Sequence, residues 1–210
     1  MKLYNYWRST SSYRVRIALA LKNIHPEQIA VHLVRNGGEQ HGESYRALNP
    51  QKRVPTLVLD DGEVLIQSPA IIEYLEEIQP QPALLPADPA SRARVRSVAA
   101  IIGCDIHPLH NVGPLNCLRG FDLSEEQVGS WIANWIVQGF SAIDTLIGDS
   151  QYCFGDEPGL ADVYLLPQIY AARRFGVSLD PFPRIVRVEH VANGHPAFQK
   201  AHPANQPDAE

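Results

Sequence analysis

The stretch Asn5–Lys22, NYWRSTSSYRVRIALALK, decides how this chain reads. Its first residues complete a short strand, Lys2 to Trp7, whose aromatic side chains favour a pleated, half-buried surface. Ser9, Thr10, Ser11 and Ser12 follow, flanked by Arg8 and Arg14. The spacing then predicts a helix over Tyr13–Asn23, with Val15, Ile17, Ala18, Leu19 and Leu21 covering nearly all of its faces, the pattern of a buried helix. The hydroxyl groups therefore stand where a strand ends and a buried helix begins, beside free backbone N–H groups and the positive end of the helix dipole. Such a place stabilises a phosphate, a carboxylate or a thiolate. Helix capping accounts for one Ser or Thr. It does not account for a run of hydroxyls beside an arginine. Arg14 and Arg16 are expected to be solvated, or paired at a domain boundary.

Downstream, Gln28–Leu33 alternates apolar and polar residues and reads as a second strand. Strand, helix and strand within about thirty residues make a βαβ unit with parallel strands. Val54–Leu59 and Val64–Ile66 around Asp60-Asp61-Gly62 form a hairpin. Ser68 is the expected cap of a further helix, with Pro69 in its first turn. Pro80, Pro82, Pro86 and Pro89 mark a linker. Beyond it the patterns are helical: Arg92–Ile106, a long helix opened by the capping box Ser124–Gln127, and Leu160–Phe175 with a bend at Pro167. Pro203–Glu210 reads as a polar tail. The layout is an α/β domain over 1–80, a Pro-rich linker over 81–89 and an all-helical domain over 90–210.

The chain has 210 residues, 45% apolar and 20% charged, with a formal charge of −5. That composition belongs to a globular chain and carries no electrostatic footprint for nucleic acid. No run approaches the ~18 consecutive apolar residues of a membrane span. Cys104, Cys117 and Cys153 are odd in number and widely spaced, which points to free thiols and a cytoplasmic location. No Cys-x-x-Cys follows the first strand, so dithiol exchange is excluded. His107 and His110 sit three apart, but Pro108 between them and the lack of a nearby second ligand pair argue against a metal. If the Pro55 bond is cis, the Val54 main-chain groups point outward and bind a peptide as an added strand does. Two hydroxyl-bearing helix starts and such an edge describe a site for a small anionic peptide.

Strand, Ser-rich turn, helix, then Val54-Pro55 and Gln67-Ser68-x-Ala70-Ile71 resemble the thioredoxin-like glutathione-binding domain of glutathione transferases. The linker and helical half match the rest of that architecture. Arg8–Ala18 looks like the signature of the zeta class, with Ser9-Thr10-Ser11 where Ser-Ser-Cys is usual. Gly159–Tyr164 is similar to the family's capping segment, with Asp162 kept and Gly159 in place of Ser or Thr.

The resemblance implies glutathione as cofactor, a homodimer, and cis–trans isomerisation of a dicarboxylate or diketo acid from aromatic amino-acid catabolism, maleylacetoacetate first and maleylpyruvate second. A cis-to-trans change about a conjugated double bond requires that bond to become single for a moment, which reversible thiolate addition achieves. By the resemblance, Ser9 holds the sulfur, helped by Ser11 and the dipole of the first helix, and Thr10 belongs to the cofactor site. Val54 and Pro55 present the peptide edge, and Gln67 with Ser68 holds the γ-glutamyl end. Gln40 and Arg53 reach the glycyl carboxylate, while His107, His110 and Asn111 border the cleft. Arg8 and Arg174 hold the acidic ends of the substrate. A general transferase conjugating electrophiles, or a non-catalytic binding module of the same fold, are the rival readings.

Overall fold

The computed structural model describes residues 1–210, which divide into two compact units: Met1–Ala83 together with His195–Glu210, and Leu84–Gly194. The first is built on a four-stranded sheet. Strand β1 (Lys2–Asn5) lies between β2 (Glu27–Ala30), parallel to it, and β3 (Thr56–Val58), antiparallel, with β4 (Val64–Ile66) at the edge. β1 stops two residues earlier than expected, because the Tyr6 carbonyl turns back to accept from Ser9 N–H at 3.0 Å. The hairpin turns through Gly62, whose φ of +93° is open to glycine at little cost.

Helix α1 runs over Thr10–Leu21, so three of the four hydroxyl residues belong to its first turn and not to a loop before it. It packs against a later helix of the same unit, Ser68–Ile78, and against His195–Glu210. Leu3, Val15, Ile17, Leu57, Ile71 and Leu75 are fully buried there, each worth about 1.5–3 kcal/mol of transfer free energy.

Three expectations need correction here. Arg14 and Arg16 are not solvated: both are buried, at 2% and 4% exposure. Arg16 donates to the carbonyls of Ala201 (3.1 Å), Tyr6 (3.3 Å) and Trp7 (2.9 Å) and to Asn5 Oδ1 (3.1 Å), oxygen acceptors that make the interior tolerable for a guanidinium. The last sixteen residues are not part of the helical domain, nor a free tail. They fold onto the first unit, where Asp208 Oδ2 accepts from Trp7 N–H at 3.0 Å. The helix expected to be capped by Ser68 has Gln67 at its cap position, in the left-handed region at φ +73°, and Ser68 as its first helical residue. Buried Lys22 closes this unit, pairing with Glu76 (2.7 Å) and donating to the Gln79 and Pro82 carbonyls.

With Glu43–Leu48 as α2 and Ser68–Ile78 as α3, the second unit contains α4 (Pro89–Ala100), α5 (Val112–Gly120), α6 (Glu125–Leu146), α7 (Leu160–Arg174) and α8 (Pro183–Asn193). The expected Arg92–Ile106 helix starts earlier, at Pro89, and widens to a π-helical stretch at Ile101–Ile106. Gly139 of α6 makes room for it: a Cβ there would lie 2.2 Å from Ile106 Cδ1. The expected capping box at Ser124 is present, and α7 continues through Pro167. The short α9 (Pro196–Ala201) returns to the first unit. No helix is long and apolar enough to cross a membrane.

Candidate active site

Ser9 stands at the junction between β1 and α1. It caps α1: its Oγ accepts from Ser12 N–H at 3.2 Å, and its carbonyl accepts from Tyr13 N–H at 2.9 Å. Capping uses one lone pair of the hydroxyl and leaves its O–H proton free to donate. Capping and sulfur binding are therefore compatible roles for one side chain. Ser9 and Ser11 are half-buried, whereas Thr10 and Ser12 are buried, and the Ser12 Oγ has no hydrogen-bond partner. Arg8 is half-buried and lies over the Trp7 ring, its Cζ 5.5 Å from the ring centre.

A second group assembles around Val54. The Val54–Pro55 peptide is cis, and the Val54 main chain takes no part in the chain's own hydrogen bonds. The preceding carbonyl, that of Arg53, is held doubly, by Tyr45 Oη (2.6 Å) and Asn49 Nδ2 (2.8 Å), and the same two side chains meet Thr56 Oγ1. Burial pushes the Tyr45 phenol pKa up, so it stays a donor across the physiological range. Neither Tyr45 nor Asn49 was singled out in the sequence. An aromatic residue, Tyr45, in an otherwise polar segment ahead of Asn49-Pro50 was the available signal. Gln67 is exposed, with its amide donating to Gln51 Oε1 at 2.5 Å, beside buried Ser68.

Of the two residues assigned to a glycyl carboxylate, Arg53 is exposed. Gln40 is buried, and its amide nitrogen is engaged with the Leu33 carbonyl (3.3 Å) and His41 Nε2 (3.1 Å). Gln40 thus supports its loop instead of offering a donor outward.

In the helical unit, two of the expected residues, His110 and Arg174, meet Phe175, and a third, His107, meets His110. The rings of His107 and His110 meet edge to face at 5.3 Å, His110 meets Phe175 at 5.5 Å, and the Arg174 guanidinium lies 4.7 Å over that same Phe175 ring. His110 is buried against the Gln168 amide at 3.0–3.1 Å. Asn111 caps α5, its Oδ1 accepting from Val112 N–H. Arg173 and Arg174 are told apart by their partners: Arg173 forms a two-pronged pair with Glu189 at 2.5–2.6 Å, while Arg174 stacks. Asp162 accepts from Gly159 and Cys153 N–H, each at 2.9 Å, and burial raises its pKa against those bonds. The Cys153 thiol beside it is pushed well up by burial, so it is inert. No group of three His, Cys, Asp or Glu side chains converges as a metal site would require.

The donor set of the first unit fits a small anionic peptide bearing a thiol: a hydroxyl with a spare proton at a helix start, a main-chain edge outside the fold's own bonding, and a second helix start carrying Ser68. A family model described as "Glutathione S-transferase, N-terminal domain" matches residues 8–78. The maleylacetoacetate isomerase of Pseudomonas aeruginosa is 65% identical over 99% of this chain and 98% of its own. The holo structure of a maleylpyruvate isomerase, a bacterial glutathione S-transferase of zeta class, is 50% identical and matches 100% of both chains at a TM-score of 0.96. A maleylacetoacetate isomerase from Anaeromyxobacter dehalogenans, with glutathione bound in its active site, is 42% identical, with a TM-score of 0.89 over 100% of this chain and 97% of that one. The chain belongs to the glutathione transferase superfamily and, within it, to the zeta class.

Proposed function

We propose that this chain is a glutathione-dependent cis–trans isomerase of a maleyl-type diketo acid, with maleylacetoacetate as substrate and maleylpyruvate as the alternative. The observation that carries the reading is Ser9, a helix cap with an unused O–H donor, next to Arg8. Bound glutathione supplies the thiolate that adds reversibly to the cis double bond, so that rotation can follow.

The protein's own groups supply the rest. Ser9 Oγ–H and the α1 dipole favour a negative sulfur over a neutral one. Val54 pairs with the peptide main chain, Gln67 and Ser68 receive the α-amino acid end, and Arg53 the glycyl carboxylate. Arg8 and Arg174 bind the acidic or enolate oxygens of the substrate as charge-assisted pairs. His107, His110 and Asn111 order the segment that carries them and shape substrate access. The maleylpyruvate alternative is kept because the zeta-class structure matched at a TM-score of 0.96 acts on that acid. Comparing the rates on the two acids, each with and without glutathione, decides between them. Equal, slow rates with and without glutathione would remove the reading.

A homodimer and a cytoplasmic location are parts of the same proposal. Phe121, Val34, Val112 and Leu146 are more than half exposed, apolar surface that pairing of two copies covers. The three cysteines are unpaired, as a reducing compartment keeps them. Sedimentation at micromolar concentration is expected to give twice the 23.3 kDa chain mass, and a single-chain mass would contradict the dimer.

A further inference from the structure

The turn that carries Arg8 and Ser9 is held by residues distant in sequence. Trp7 N–H donates to Asp208 Oδ2 at 3.0 Å, across 201 residues. The Trp7 carbonyl accepts from Arg16, and the Tyr6 carbonyl accepts from both Arg16 and Ser9 N–H. The segment that brings Asp208 is itself anchored. Gln206 Nε2 donates to the Lys200 and His202 carbonyls at 2.9 Å each, and the Glu210 carboxylate meets Arg35 and, at 3.3 Å, His32. Asp208 is half-buried, and nothing in the proposed chemistry uses it directly.

We infer that Asp208 is a positioning residue for the thiol-binding turn: by accepting the Trp7 N–H it aims the Ser9 hydroxyl and, through the Trp7–Arg8 stack, the Arg8 guanidinium. The inference rests on the reading of Ser9 as the partner of the glutathione sulfur. Its physical basis is the short span between β1 and α1. With the Tyr6 and Trp7 carbonyls already fixed by Arg16, the Trp7 N–H is the remaining main-chain group that sets the tilt of that peptide plane. A carboxylate acceptor holds it more firmly than water does. Small errors in the placement of a reacting group are expensive, about a hundredfold for 1 Å.

The test compares the native chain with Asp208→Ala, Asp208→Asn, Ser9→Ala and the Ser9→Ala/Asp208→Ala double variant. Two quantities are read: the thiol pKa of bound glutathione, from thiolate absorbance, and the hydrogen-exchange rate of the Trp7 amide in the ligand-free protein. Asp208→Ala is expected to speed Trp7 exchange about tenfold or more and to raise the bound-thiol pKa by about one unit. Asp208→Asn should restore much of both, because its amide oxygen still accepts. The double variant should titrate like Ser9→Ala alone, since no hydroxyl remains to be aimed, whereas a merely structural role would add to it. If Asp208→Ala does not fold, Asp208→Glu keeps the charge but displaces the acceptor by one methylene, and the same two quantities are read on it. An unshifted pKa in Asp208→Ala, with Ser9→Ala shifted, overturns the inference and spares the Ser9 reading. An unshifted pKa in Ser9→Ala overturns that reading, and the inference with it.

Discussion

Arg8→Ala and Arg174→Ala should each slow isomerisation of the maleyl acid several-hundredfold, with the affinity for glutathione nearly unchanged. In the proposed role, as a charge-assisted partner of a substrate oxygen, each guanidinium is expected to contribute on the order of 2–4 kcal/mol to the transition state. Glutathione, in contrast, is held in the proposed reading through Val54, Gln67, Ser68 and Arg53, none of which depends on either arginine. Arg8 is placed for the role by its stack on Trp7, and Arg174 by its stack on Phe175 next to His110. Stacking engages the flat face of a guanidinium, and charge-assisted forks with carboxylates form at its edge, so the two kinds of contact are compatible. The control is conjugation of a neutral aromatic electrophile, which has no carboxylate to clamp and should fall far less. Parallel losses in both reactions would assign the arginines to the fold or to the glutathione site. Arg173→Ala is the companion control, since that side chain is occupied by Glu189.

Ser9→Ala is expected to cost a factor of about a hundred or more in turnover at neutral pH, the usual effect of removing one donor aimed at a developing anion. The pH dependence carries the sign. A hydroxyl donor and a helix N-terminus stabilise the thiolate, so the native complex has a lowered thiol pKa, and losing the donor raises it towards the ordinary value of about 8.5. The deficit should therefore be largest at low pH and shrink as pH rises through the variant's thiol pKa. A deficit independent of pH, with an unshifted titration, would take Ser9 out of the role. Stability is expected to fall as well, by about 1 kcal/mol, because the same side chain caps α1.

What could be read from the chain alone was the chemistry that local sequence carries. The hydroxyl run at a strand-to-helix junction, the hairpin around Gly62 and the capping box at Ser124 depend on neighbours a few residues away, and each is in its expected place. What could not be read depends on partners far along the chain. Arg16 looks like a surface charge until Ala201 brings its carbonyl within 3.1 Å. Pro203–Glu210 is polar and short, and only the Trp7 N–H and the Arg35 and His32 side chains give its acids a place. The cap of α3 misled for a subtler reason. Ser is the better capping residue by propensity, yet Gln67 takes that position at positive φ, which puts Ser68 inside the first turn. Gln40 could be assigned only by analogy, and its buried amide is engaged within its own loop.

In the proposed reaction glutathione acts as a recycled cofactor and not as a consumed substrate. The direct measurement supplies the maleyl acid in large excess over glutathione and follows both by NMR to the end of the reaction. Complete conversion to the trans acid is expected, with many turnovers for each glutathione and the thiol recovered unmodified. A reaction that halts after one equivalent, with glutathione trapped as a stable conjugate, would contradict it.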